Sequence, residues 1–381
     1  MPRHHRLSVI VLLLLTFSGM ALTVPPSRAE EPKPAPPEAK ALASALDWLK
    51  RHQDADGHWS SGGFDASCHG GLKCLGVGGE DFDIGLSALA CMALLQGGEP
   101  VKPKSPLRMG LDWLVAQQGE DGAIGPKGFE KHLYDHALAT HALCDAAASG
   151  QTRFKPPAKK ALGYLLACQN PGKKGGGWRY RNYNDPKVPA EAESNNDTSV
   201  TACAVLALAS AKKAGLTIPK ESLKSALACL EGFYGDPTDP VFGYFRKPNG
   251  KLGMIHSSPF ATTAMGTLCH PLLQEMLPPP EKPAAVDLAA CIKTILQKRP
   301  DWQSPNLYYW HYATLALARR GGEDWQAWRL PLLKTLIDHQ EPQGCAKGSW
   351  DPATDAWGES GGRIYTTALG ALCLEEAIRV P

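Results

Sequence analysis

The stretch Ala45–Trp59 reads ALDWLKRHQDADGHW. It returns as GLDWLVAQQGEDGAI over Gly110–Ile124 and as ALGYLLACQNPGKKGGGW over Ala161–Trp178. In each copy an aromatic residue is followed by Leu, and a Gln stands five residues after the aromatic: Trp48/Gln53, Trp113/Gln118 and Tyr164/Gln169. A Gly and a large apolar residue close the unit. Thr335–Trp350 (TLIDHQEPQGCAKGSW) is a worn copy, and weaker ones lie around Ala226–Tyr244 and Ile292–Trp302. The pattern is that of a helix end. Apolar residues at helical spacing pack inward, the Gln of the last turn bonds the returning chain, Gly supplies positive φ, and the Trp covers the helix end.

A second series alternates with the first. Its members begin at Asp83 (DIGLSALACMALL), Asp135 (DHALATHALCDAA), Asp197 (DTSVTACAVLALA), Pro259 (PFATTAMGTL), Trp310 (WHYATLALARR) and Ile364 (IYTTALGALCLEE). These segments are small and apolar on nearly every side, which predicts helices more buried than the first series. Three begin with Asp, a residue that caps helix N-termini and that the dipole there holds ionised. No sustained period-two pattern predicts a sheet. Six pairs, each an outer amphipathic helix and an inner apolar one, need a closed ring to bury the inner faces. The predicted fold is all-α, an (α/α)6 toroid of six helical hairpins.

The composition agrees with one large globular domain: 381 residues, 43% hydrophobic and 20% charged. Residues 1–29 have a basic start, an apolar run from Leu7 to Leu22 and small residues Ser27 and Ala29 at the end, the layout of a cleaved signal peptide. That layout predicts a protein outside the cytoplasm, periplasmic or secreted, with no stable membrane span once the leader is removed. Residues 30–40 (EEPKPAPPEAK) read as a Pro-rich linker, and 41–381 as a single toroid domain. The whole chain carries +2; without Arg3, Arg6 and Arg28 it has 40 − 3 = 37 basic against 38 acidic residues, about −1. Such a balance excludes an electrostatic nucleic-acid binder.

Eight of the eleven cysteines (91, 144, 168, 203, 229, 269, 291 and 373) sit in Ala/Leu-rich runs and read as small buried hydrophobes. Cys68, Cys74 and Cys345 lie in Gly-rich loops. Cys68, His69 and Cys74 (SCHGGLKC) form a weak metal pattern, and a Cys68–Cys74 disulfide is favoured in an oxidising compartment. No metal and no cofactor are assigned.

The unit at Trp48–Trp59 resembles the QW repeat of the squalene-cyclase and protein-prenyltransferase β-subunit superfamily, over roughly Lys40–Ile378. The segments Asn195–Leu216, Asn306–Gly322 and Gly348–Glu375 are similar to secreted bacterial proteins with prenyltransferase/squalene-oxidase repeats. The resemblance implies the toroid; it does not imply an activity. Class II cyclases protonate an alkene with the middle carboxyl of D-x-D-D-T-A, and the matching stretch here is Ser194-Asn195-Asn196-Asp197-Thr198-Ser199, with an amide at Asn196 in the acid position. The Asp-x-Cys of the prenyltransferase zinc site is missing before Pro259, leaving His311 alone. Gly344-Cys345-Ala346-Lys347 lacks the Gln that a thioester needs.

Polysaccharide hydrolases and lyases also use (α/α)6 rings, with paired carboxylates across a groove. Asp83, Asp135 and Asp197 are expected around one mouth, joined by Tyr134, His136, Tyr309, His311, Arg363 and Tyr365. These nine are the candidate ligand-binding residues, and Asp197 is the candidate catalytic one. Trp302, Trp325, Trp328 and Trp357 are expected to plug the outer ring. With both family chemistries missing essential groups, the expected function is non-catalytic binding of a hydrophobic, isoprenoid-like small molecule or a protein segment in the central mouth. The alternative is a diverged enzyme, lipid-modifying in the manner of squalene and hopene cyclases or glycan-active. A deep apolar cavity favours the isoprenoid, facing carboxylates 5–10 Å apart favour glycan chemistry, and a filled mouth favours a protein partner.

Overall fold

A computed structural model describes residues 35–381 except 69–72, 80, 172–175, 183–195, 248–250, 255–257 and 280–285. The expected leader, residues 30–34 of the linker, His69 and Ser194-Asn195 lie outside the described residues. Twelve α-helices alternate in two series among the described residues. The outer ones are α1 (Pro37–Arg51), α3 (Pro106–Ala116), α5 (Lys155–Ala167), α7 (Lys220–Phe233), α9 (Leu288–Leu296) and α11 (Gly322–Asp338). The inner ones are α2 (Asp83–Gln96), α4 (His132–Ala148), α6 (Thr198–Lys213), α8 (Phe260–Met276), α10 (Leu307–Arg320) and α12 (Gly358–Arg379).

The inner helices form the ring. Each packs on the next, from α2 through α4, α6, α8 and α10 to α12, and α12 packs back on α2. Their sequences demand it: in α2 every residue from Ile84 to Leu94 is buried, so no face is left for solvent. The outer helices bury one stripe each, as α1 does with Ala41, Ala45, Trp48 and Leu49. The eight cysteines of the Ala/Leu-rich runs are all buried thiols.

The repeat residues do the same work at several corners. Gln53, Gln118, Gln169 and Gln340 each donate from Nε2 to two carbonyls, one in their own turn and one in the first turns of the next outer helix (Pro106, Pro157, Ser222 and, round the ring, Ala41). The indoles of Trp59, Trp178 and Trp350 are fully buried and donate to Leu49, Leu165 and Leu336, carbonyls in the last turns of the preceding outer helices, where i+4 donors run out. The turns themselves need Gly. At Gly57 (φ +106°) a Cβ would stand 2.6 Å from the Met109 oxygen, and at Gly348 (φ +94°) 2.1 Å from that of Ser44.

Several expected boundaries shift. α1 starts at Pro37, inside the segment read as linker, because Pro is accepted at the first helical position. α4, α10 and α12 start three to six residues earlier than their apolar runs; α12 bends at Gly362 (φ +67°) on the way. Between α7 and α8 the chain forms two small hairpins that the sequence reading missed, β1 (Tyr234–Asp236) with β2 (Asp239–Phe242) and β3 (Phe245–Arg246) with β4 (Leu252–Gly253). No helix among the described residues is long and apolar enough to cross a membrane.

Candidate ligand cavity on the ring axis

The inner helices leave a cavity of about 1080 Å³ between them. Its belt is apolar: Leu86, Leu89 and Met92 from α2, Leu138 from α4, Leu206 from α6, Leu268 and Leu272 from α8, Leu315 from α10, Leu369 and Leu372 from α12. Towards the N-terminal ends of the helices the wall becomes aromatic, with Phe82, Tyr134, Tyr180, Tyr308, Tyr312 and Tyr365. The rim at the other end carries exposed Gln96, Lys213 and Arg319. The hydroxyls of Tyr308 and Tyr365 are buried and make no hydrogen bond within the protein. A phenol hydroxyl left so is a group that a bound molecule would satisfy.

The nine candidate residues divide. Tyr134, Asp135, His311 and Tyr365 line the cavity. The other five do not, and each has a different task. Asp83 opens α2 and accepts the Ser61 N–H at 2.8 Å. His136 is turned into the outer layer, where Nδ1 accepts from Ile124 N (3.1 Å) and Nε2 donates to Ala161 O (3.0 Å). Tyr309 donates to Ile295 O at 2.7 Å. Arg363 donates to Leu75 O (2.6 Å) and Ser349 Oγ (3.0 Å), tying two loops together.

Asp197, the candidate catalytic residue, is an N-cap. Its Oδ1 accepts from the backbone of Ser199 (2.7 Å) and Val200 (3.2 Å). The expectation that three aspartates cap three helices is therefore corrected to one: Phe82 is the residue before α2, and Asp135 sits one turn inside α4. The expected direction of their pKa values is also reversed. Burial raises the carboxyls of Asp83, Asp135 and Asp197, outweighing caps and dipoles; for Asp135 the neighbouring Asp81 and Asp83 push the same way. Asp135 is thus a buried carboxyl on the cavity wall. Asn196 is not on that wall; its Oδ1 accepts from Asn170 Nδ2 at 2.9 Å. The residue whose substitution argued against proton transfer does not face the cavity, and an acid on another helix does.

Sequence reasoning missed half of the polar wall. His141 Nε2 lies 3.3 Å from Asp145 Oδ2, and Ser210 donates to Asp145 Oδ1 at 2.6 Å. Burial raises Asp145, but His141, Ser210 and Lys213 together hold it below the ordinary carboxylate range. Burial, reinforced by His141, lowers His311 to about 3, so its imidazole is neutral. Glu375 has both carboxyl oxygens buried without partners, and burial together with Glu376 raises its pKa well above the usual value. The missed signal is a helical stripe: Asp135, Leu138, His141 and Asp145 recur at three and four residues on one face of α4. Trp357, expected in the outer ring, lines the cavity instead, while Trp325 and Trp328 are buried as expected.

A second group of chemically able side chains lies away from the axis. Cys68, Cys74 and Cys345 converge on His52, and the expected Cys68–Cys74 disulfide is not formed.

No protein-family model matches the sequence, and no curated protein aligns with it. The fold has clear counterparts among solved structures. The GH76A α-1,6-mannanase of Salegentibacter sp. HEL1_6 superposes with a TM-score of 0.60 at 10% identity, over 90% of this chain and 100% of that one. A type II terpene cyclase from Scytonema, solved with geranylgeranyl dihydroxybenzoate as substrate, gives 0.54 at 14% identity over 91% and 98%. A possible GH105 protein from Salmonella enterica gives 0.53 at 15% identity over 93% and 97%. At such identities the likeness is one of fold: the α/α toroid, shared by terpene cyclases and glycosidases.

Proposed function

We propose that the protein binds an extended hydrophobic molecule of the isoprenoid class in its axial cavity. The observation that carries this reading is the belt of ten Leu and Met side chains around a cavity of about 1080 Å³. A sugar chain would leave hydroxyls unpaired along this belt, whereas a polyprenyl chain needs only apolar contact there and displaces poorly satisfied water. The aromatic end and the two unpartnered phenol hydroxyls supply a place for one polar end group. The Scytonema cyclase, which shares the fold, takes a geranylgeranyl compound as substrate. The mannanase fits less well: its inactive variant replaces two adjacent aspartates, and this chain has no adjacent pair. Of the three aspartates expected at one mouth only Asp135 faces the cavity. The leader-like residues 1–29 support a site of action beyond the cytoplasmic membrane.

Displacement of a fluorescent polyprenyl probe by geranylgeraniol tests this. The purified chain should bind it saturably, and Leu206→Trp, which fills the belt, should abolish binding with the helical circular dichroism unchanged. Saturable binding unaffected by Leu206→Trp would place the ligand elsewhere.

One observation favours a catalytic version of the same reading. Asp135 is a buried carboxyl on the cavity wall, placed where a bound alkene would meet a proton donor. Incubation with geranylgeranyl compounds should then yield cyclised product that Asp135→Asn fails to make; unchanged substrate with both proteins leaves binding as the function.

A further inference from the structure

We propose that His52, Cys68, Cys74 and Cys345 hold one structural zinc ion that fastens the first helical hairpin to the last. The inference is independent of the cavity. The ligand atoms of the four side chains lie within 4.8 Å of one another. The His52 Nε2 is 3.6 Å from the Cys68 sulfur, 3.6 Å from that of Cys74 and 3.4 Å from that of Cys345. In a tetrahedron with zinc–sulfur bonds of about 2.3 Å and zinc–nitrogen bonds of about 2.0 Å, the nitrogen-to-sulfur edges are about 3.5 Å. The nitrogen-to-sulfur spacing is that of ligands around one ion, and three cysteines with one histidine is a common structural zinc set.

The surroundings hold the four side chains towards one another. His52 Nδ1 bonds the Trp48 carbonyl at 2.9 Å, which places the ring proton there and leaves the Nε2 lone pair facing the sulfurs. The ring is held flat against Trp48, with centroids 4.1 Å apart. The Cys74 N–H donates to the Cys68 sulfur at 3.2 Å, which orients that sulfur within the cluster. Arg51 donates to the carbonyls of Cys345 (3.1 Å) and Lys347 (3.0 Å), and Arg363 to that of Leu75 beside Cys74. These two guanidiniums hold the ligand loops in place and offset the net negative charge of three thiolates on a dication.

The consequence is topological. His52 follows α1, Cys68 and Cys74 precede α2, and Cys345 lies between α11 and α12. An ion there joins the two ends of the ring across nearly 300 residues, where loop closure makes a cross-link most effective. It also keeps three thiols from oxidising.

The test uses the full chain, reduced, stripped with a chelator and titrated with cobalt(II). One equivalent should produce thiolate-to-cobalt charge-transfer absorption and the intense visible bands of tetrahedral coordination, and zinc should bleach both. Zinc should raise the Tm of the wild-type chain but not of Cys345→Ser or His52→Gln, whose charge-transfer absorption should be weakened or lost. Two results would overturn the proposal: no charge-transfer band at saturating cobalt, or peptide mapping that finds Cys68 joined to Cys74 in the isolated protein. A spectrum identical in wild type and both variants would do so too, since the ion would then sit elsewhere.

Discussion

The side-chain amide of Gln340 donates to the carbonyl of Ala41, 2.8 Å away and 299 residues earlier in the chain. The ring therefore closes with the device that joins its successive hairpins, as Gln53 does at Pro106 and Gln169 at Ser222. Gln340→Ala leaves the carbonyls of Ala41 and Gly348 without this donor and should cost about 1–3 kcal/mol. Gln118→Ala, whose bonds are longer at 3.3 and 3.0 Å, should cost less. Urea unfolding of both variants checks the order; equal stability of Gln340→Ala and wild type would show that this bond does not help close the ring.

The indoles at the helix ends make a steeper prediction. Trp178 is fully buried and its N–H bonds Leu165 O at 2.7 Å. Trp178→Ala should destabilise by about 3–5 kcal/mol, and Trp59→Ala and Trp48→Ala by a similar amount. Trp113, only half-buried and stacked on His58, should lose about 1 kcal/mol on truncation. Thermal melts of the four variants would contradict the helix-end reading if all four shifts were alike.

Acid should weaken the ring through its buried imidazoles. Burial lowers His136 to about 3, with the positive form of His132 acting in the same direction. The folded chain thus refuses a proton that the unfolded chain accepts. A depressed histidine contributes stability that is complete above the unfolded value near 6.5 and is lost as pH falls towards 3, by at most about 1.4 kcal/mol per pH unit. His136→Gln removes this site and should flatten the dependence of urea stability between pH 6.5 and 4. An unchanged slope would assign acid sensitivity to other groups.

Asp355 works in the opposite direction. Burial raises it to about 6, although the N–H groups of Leu307 and Trp357 bond its two oxygens. Its folded form keeps a proton that the unfolded chain releases near 3.8. The stability it contributes is therefore present at low pH and lost as pH rises from about 4 to 6. Asp355→Asn should lose that decline, so that its Tm at pH 6 relative to pH 4 is higher than that of the wild type; a lower one would contradict the assignment.

The fold was legible because its signals are local and repeated. Each inner helix is apolar over ten or more residues, and four of the outer ones end on the same Gln–Gly geometry, three of them closed by a Trp. The facing of single residues was not legible. When a helix is buried all round, hydrophobicity does not say which side meets the axis: Asp135 looks into the cavity, and His136, about 100° further round, bonds the outer layer. The convergence of His52 with Cys345 was hidden for another reason. The two are 293 residues apart, and only ring closure makes them neighbours. The hairpins between Tyr234 and Gly253 are strands of two to four residues, too short to show alternation.

Native mass spectrometry of the purified chain, offered geranylgeraniol and α-1,6-mannotetraose together, measures the preference of the axial cavity. One geranylgeraniol should be retained per wild-type chain and none by Leu206→Trp, with the sugar released from both. Retention of mannotetraose in place of the isoprenoid would contradict the account and assign the ring to glycans.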